Sequence, residues 1–227
     1  GRGEPLEDTA RVLSRFCDVL ASRTFAQQEL ADYAHWASIP VINALTDLEH
    51  PCQALADFLT MQEAFGDLQG QTLAYVGDGN NVAHSLMLCG ALLGVNVRIG
   101  CPEGFEPLPG VVDQARALSV GGAQISVITD PVEAVRGAQA LYTDVWASMG
   151  QEQEQAERER AFQGFCLNED LLAEADSRAI VLHCLPAHRG EEISAGVMEG
   201  PSSRIFDQAE NRLHAQQALL AALLGGL

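Results

Sequence analysis

Between residues 72 and 186, short apolar and partly β-branched segments alternate with helix-length stretches, and this order constrains the fold more than any other feature of the chain. TLAYVGDG, NVRIGCP, QISVITD, ALYTDVW and AIVLHCLP each end in small, polar or Pro-containing turns. Helices are predicted between them over Val82–Leu93, Val111–Val120, Pro131–Arg136 and Asn168–Ala175. Strands so connected give a parallel sheet with right-handed crossovers and helices on both faces. A shorter series precedes them. Glu4–Arg15 has helical spacing with Glu7 and Asp8 near its start, where the helix dipole favours acids. DVLASRTF reads as a buried strand with Arg23 at its C-terminal end, Gln27–Trp36 as a helix, and IPVINAL as a strand ending near Thr46. A long helix from about His50 to Phe65 is stopped by Gly66. The charge run Gln151–Arg160 is expected to be a solvated loop or short helix, and Gln208–Leu224 a final amphipathic helix. The expected fold class is α/β, with two domains, each a parallel sheet flanked by helices, the first incomplete. The boundary falls near Gly66–Gly70.

Composition removes several functions. With 13 Lys+Arg against 31 Asp+Glu the formal net charge is -18, which repels phosphate polyanions and disfavours nucleic-acid binding. All basic residues are Arg, so Schiff-base and P-loop chemistries, which require Lys, are excluded. No apolar run approaches the ~20 residues that span a bilayer, and no membrane association is expected. The six cysteines form no C-x-x-C pair and read as reduced thiols of a reducing compartment, the cytoplasm. The chain opens on Gly and runs directly into a helical pattern, which reads as a chain without its natural beginning.

Ligands of open parallel sheets bind outside the C-terminal strand ends, and that is where the unusual residues gather: Arg23, Thr46–Gln53, Gly77–Asn81, Asp144–Gly150 and His183–Pro186. His50-Pro51-Cys52-Gln53 opens a helix whose N-terminal amides attract an anion. His50 is placed to donate to a developing oxyanion, with Gln53 one turn on. An ordinary helix start with a polar cap is the other reading. GDGNNVAHS invites a dinucleotide reading, but Val82 stands where the third Gly of that fingerprint belongs. What remains is a glycine-rich turn presenting Asn80 and Asn81. Asp144-Val145-Trp146-Ala147-Ser148-Met149-Gly150 offers a carboxylate for an ammonium group, or is a solvent-exposed turn. In HCLPAHRG, alternation along a strand points His183 and Cys184 to opposite faces, against a shared metal. Cys184 reads as an inert buried thiol, as a nucleophile without an evident partner, or as a binding thiol near Asp144.

HPCQ, GDGNN, DVWASMGQE, HCLPAHRGEE and QAENRLHAQ, in that order, resemble the ornithine carbamoyltransferases of the aspartate/ornithine carbamoyltransferase superfamily. The resemblance runs over essentially the whole chain. It implies a partial carbamoyl-phosphate-binding domain from 1–65 and 208–227, the last helix returning to the first domain, and an ornithine-binding domain from 66–207. It implies Arg23, His50 and Gln53 around carbamoyl phosphate, with Cys184, Leu185 and Arg212 completing its surroundings. Pro51 and Cys52 accompany them in the HPCQ word, and Asn81, Asp144, Ser148 and Met149 would contact L-ornithine. The family's Ser-Thr-Arg-Thr phosphate loop has no counterpart here, so the resemblance implies a chain lacking an opening segment of the enzyme. The implied reaction gives L-citrulline and phosphate for arginine biosynthesis, without metal, cofactor or covalent intermediate, in a homotrimer. The rival readings are carbamoyl transfer to another amine such as acetylornithine or putrescine, an NAD-dependent dehydrogenase, and a non-catalytic binding relative.

Overall fold

The apolar runs bounded by Gly and Pro do become strands, and the computed structural model describes residues 3–147 and 155–225 of the chain. In chain order the described elements begin with α1 (Leu6–Leu13), β1 (Leu20–Arg23), α2 (Gln27–Trp36), β2 (Val41–Leu45) and α3 (Pro51–Phe65). Then come β3 (Thr72–Val76), α4 (Asn81–Leu93), β4 (Asn96–Gly100), α5 (Pro109–Leu118), β5 (Ile125–Ile128), α6 (Pro131–Val135) and β6 (Ala140–Thr143). The last are α7 (Gln155–Ala161), α8 (Glu169–Glu174), β7 (Ile180–His183), α9 (Ala195–Met198) and α10 (Ile205–Leu223). Ser148 and Met149, two of the expected ornithine contacts, lie outside the described residues.

β3 to β7 form one wholly parallel sheet in the order β5-β4-β3-β6-β7. Every residue of β3 is buried, and the strand's alternation divides them between two cores. Leu73 and Tyr75 pack with Leu86, Met87 and Val112 of α4 and α5 on one face. Ala74 and Val76 pack with Val135 of α6, Phe162 just after α7 and Ile205 of α10 on the other. Burial on both faces explains why these strands read as continuous apolar runs. The chain leaves β3 toward β4 and β5, then returns across it to β6 and β7. The C-terminal ends of β3 and β6 therefore flank a topological switch point, where open α/β sheets hold their ligands.

The first unit is smaller. β1 and β2 pair in parallel, and the register slips between Ser22 and Arg23 so that Arg23 opposes Leu45. Such irregularities re-aim side chains next to functional sites. α10 packs on α3, joining the end of the chain to the first unit. Three hydrogen bonds tie the loop after β2 to α4: Asn81 Nδ2 donates to the Thr46 carbonyl (2.7 Å), the His50 amide to Ser85 Oγ (2.7 Å), and His84 Nδ1 pairs with the Leu48 carbonyl (2.8 Å).

The turn after β3 shows what its glycines are for. The Gly79 amide donates to the Phe105 carbonyl at 2.8 Å, and a Cβ there would lie 2.2 Å from the Pro107 nitrogen. Asn80 then caps α4, its side-chain oxygen accepting from the amides of Val82 and Ala83. Val82 itself is 4% exposed and belongs to the core, so the turn serves loop packing and capping rather than a pyrophosphate.

Candidate active site

The C-terminal ends of β1, β2, β3, β6 and β7 converge on one open cavity of about 1050 Å³. Of the residues singled out from sequence, Arg23, His50, Asn81, Asp144, Cys184, Leu185 and Arg212 line it. Residues far apart along the chain thus share one hollow between the two units.

On one side stands His50, the residue before α3. It is 5% exposed and makes no side-chain cap bond, so the polar-cap reading of this helix start does not hold. Its Nδ1 is buried without a hydrogen-bond partner among the described residues. Burial pushes the imidazole pKa down to about 4, and the positive charges of Arg212 and Arg23 push the same way. His50 is therefore a neutral imidazole flanked by two guanidinium groups. Gln53 is buried behind this wall rather than lining the cavity: its Oε1 accepts from Arg212 Nη1 at 2.8 Å. Pro51 starts α3, and the buried Cys52 thiol donates to the Asn43 carbonyl at 3.3 Å, so neither reaches the cavity through its side chain.

On the other side Asp144 follows β6. Its carboxylate accepts from Asn80 Nδ2 (2.8 Å), from its neighbour's amide at Val145 (2.8 Å), and from the Cys184 thiol (2.9 Å). Loss of water around the sulfur, with the Asp144 charge beside it, holds the Cys184 thiol well above the ordinary range. Cys184 is thus a protonated donor, which removes the nucleophile reading and leaves the binding one. Leu185 has φ 58, a left-handed conformation that costs a non-glycine residue roughly 1–3 kcal/mol. Its amide donates to His183 Nδ1 at 2.8 Å, which holds it there.

The opposite-face argument for His183 and Cys184 needs correction. Cys184 lies just beyond the end of β7, so strand alternation does not carry to it, and the ligand atoms of Asp144, His183 and Cys184 lie within 4.8 Å of one another. The imidazole is committed elsewhere: Nδ1 accepts from Leu185, and Nε2 pairs with the fully buried Glu192 at 3.1 Å.

Two expectations missed functional geometry. The charge run was expected to be a solvated loop or short helix: its residues 151–154 lie outside the described residues and the rest forms the short helix α7, but Arg158 of that helix is 6% exposed and reaches the cavity wall. Its Nη1 donates to Asp78 (2.7 Å) and to the Trp146 carbonyl (2.8 Å), and the guanidinium lies 5.1 Å from the Phe105 ring centre. The other is Asp57 of α3, 0% exposed and outside the HPCQ word that opens the helix. Its position seven residues after His50, one face along the helix, was the available signal.

A two-lobed parallel α/β chain with its site at the switch point, a neutral imidazole between two arginines facing a carboxylate and a thiol, defines a class of small-molecule enzymes that handle an anionic and an aminated substrate together. Residues 1–63 match the carbamoyl-P binding domain and residues 69–223 the Asp/Orn binding domain of the aspartate/ornithine carbamoyltransferase family, and the chain belongs to that family. Within it, similarity is to the ornithine branch. The ornithine carbamoyltransferase of Prochlorococcus marinus (strain MIT 9313) is 86% identical over the whole chain, which spans 71% of that protein. That of Parasynechococcus marenigrum (strain WH8102) is 83% identical, with the same coverage. Among solved structures, ornithine carbamoyltransferase from Pyrococcus furiosus superposes with a TM-score of 0.95 at 50% identity, covering 100% of this chain and 72% of that one.

Proposed function

We propose that the protein transfers the carbamoyl group of carbamoyl phosphate to the δ-amine of L-ornithine, giving L-citrulline and phosphate for arginine biosynthesis. The observation that carries this reading is the shared cavity with unlike walls: Arg23, Arg212 and neutral His50 on one, Asp144 and Cys184 on the other. The first wall suits a phosphorylated carbonyl, the second an amine.

The chemistry follows from those groups. The amine nitrogen attacks the carbonyl carbon, the C–N bond forms, and the C–O bond to phosphate breaks, the electron pair leaving with phosphate. Attack requires the neutral amine, whose free pKa lies near the ~10.4 of a Lys side chain, so one proton leaves the ammonium to solvent before attack and a second passes from the attacking nitrogen to the departing phosphate oxygen. His50 donates to the carbonyl oxygen as charge develops there, and Arg23 and Arg212 hold the phosphate through their planar forks. Asp144 takes the α-ammonium, Cys184 orients the chain toward the carbonyl, Asn81 contacts the amino-acid end, and Leu185 completes the surroundings of carbamoyl phosphate; Ser148 and Met149 are assigned to ornithine by the family resemblance alone. Residues 1–65 with 208–227 serve carbamoyl phosphate and 66–207 ornithine, a grouping supported by the packing of α10 on α3. We place the enzyme in the cytoplasm as a homotrimer. Among the described residues no helix is long and apolar enough to cross a membrane.

Protein expressed from the complete reading frame is expected to form citrulline from ornithine, far faster than it carbamoylates acetylornithine or putrescine. Failure to form citrulline would overturn the proposal in favour of a binding relative. Asp144→Asn is expected to weaken ornithine binding about tenfold to a hundredfold, the worth of a hydrogen bond to a charged group. Titration calorimetry with carbamoyl phosphate saturating reads that loss directly, and an unchanged ornithine dissociation constant would remove Asp144 from the role.

A further inference from the structure

Both walls of the cavity trace back to one carboxylate that touches neither substrate. Asp57 lies two turns into α3, completely buried, and its Oδ1 accepts from two side-chain amides: Gln53 Nε2 at 2.7 Å and Gln208 Nε2 at 2.6 Å. An amide has a donating and an accepting end, so fixing one end fixes the other. With its NH2 on Asp57, Gln53 turns its oxygen to Arg212 Nη1 (2.8 Å). With its NH2 on the same oxygen, Gln208 turns its own to the backbone amide of His183 (2.8 Å), which leads directly into Cys184 and Leu185. Flipping either amide would set donor against donor, at Arg212 on one arm and at the His183 amide on the other.

We propose that Asp57 is a positioning residue for carbamoyl transfer, a buried carboxylate that sets the orientation of Gln53 and Gln208 and so places the Arg212 guanidinium and the His183–Cys184 backbone together. This rests on the transferase reading given above. A purely structural role fits the site poorly. Burial raises the Asp57 carboxyl to about 7, against the lowering pull of the Gln53, Gln208 and Tyr142 side chains and of the Arg212 charge. A buried polar set of this kind costs folding energy that apolar packing of Asp57, Gln53 and Gln208 together would not. The other titratable groups around it are Arg212 from α10, Tyr142 from β6, Cys89 from α4 and Cys184 after β7. Of these, Arg212 carries the counter-charge, and it is the one Asp57 holds in place through Gln53.

The test uses protein from the complete reading frame, with kcat and both KM values measured beside melting temperature. Asp57→Asn keeps an oxygen that accepts from both glutamines and is expected to retain near wild-type constants. Asp57→Leu frees both amides and is expected to lower kcat about 10²-fold, the scale of a 1 Å misplacement of catalytic groups, in protein that also melts lower because two buried amides lose their acceptor. Cutting one arm at a time separates the walls: Gln53→Leu raises mainly the KM for carbamoyl phosphate, and Gln208→Leu mainly that for ornithine. Wild-type constants in folded Asp57→Leu protein would overturn the proposal, as would an Asp57→Asn variant as impaired as Asp57→Leu. Should Asp57→Leu fail to fold, the two glutamine variants decide: equal effects on both KM values, or none, overturn it. A wild-type protein that forms no citrulline overturns the transferase reading instead.

Discussion

Replacing His50 by Ala is expected to lower turnover about 10²–10³-fold, the usual loss of one oxyanion donor, with ornithine affinity nearly unchanged. The split follows from position. His50 stands on the arginine wall, across the cavity from Asp144 and Cys184, so under the proposed mechanism its loss removes a donor to the reacting carbonyl and nothing from the amino-acid end. Steady-state kinetics on the complete enzyme check it, and unchanged turnover would take His50 out of the chemistry. The pH behaviour sharpens the point. Burial and the two arginines hold the imidazole near 4, so it remains a neutral donor across the range in which the amine is assayed. An acid limb in kcat near 6.5 would then belong to another group, and nitrogen shifts of His50 followed by NMR should show no protonation between pH 8 and about 5. The same shift bears on stability. In the unfolded chain His50 titrates near 6.5, in the folded one near 4, so the unfolded state binds the extra proton in that window. Stability from this residue is constant above 6.5 and falls as pH drops toward 4.

The parts of the fold that sequence made legible are those governed by local rules. α2 falls on its predicted residues, and α4, α5, α6 and α8 begin and end within a few residues of expectation. Buried parallel strands declare themselves as apolar runs, and the turns after them as Gly, Pro and Asn. α10 begins at Ile205, three residues before the expected start, because Ile205 is a core residue that the amphipathic pattern of the later turns does not reveal. Six of the seven proposed site residues that share the cavity were reached by the strand-end rule, which is topological and needs no side-chain detail, while Arg212 of α10 came from the family resemblance. Gln53 was harder: helical spacing placed it near His50, but whether it faces ligand or Arg212 depends on α10, more than 140 residues away in sequence. Asp57 and Arg158 were missed for the same reason. A lone acid in a helix and an arginine in a charge run look solvated until the tertiary partner, Gln208 or Asp78, is known.

Arg158→Met is expected to destabilise the protein by about 3–5 kcal/mol, because it removes the guanidinium that meets the buried Asp78 carboxylate at 2.7 Å. The two side chains are 7% and 10% exposed, so water cannot replace the lost guanidinium as it would at a surface pair. For a chain of this size that is roughly a 10 °C fall in melting temperature. Adding Asp78→Asn should recover most of the loss, since removing both charges costs far less than removing one, and a double-mutant cycle by thermal or denaturant unfolding measures the coupling. Additive losses would show that the pair contributes no mutual stabilisation. The functional consequence is separate from the energetic one. Arg158 also holds the Trp146 carbonyl, two residues after Asp144, while the Trp146 ring stacks on Phe162 at 5.6 Å. The guanidinium therefore fixes the backbone just after Asp144, the carboxylate proposed to take the ammonium group. The neutral double variant should regain stability while keeping a raised KM for ornithine, because two uncharged side chains restore the burial balance but not the bond to Trp146.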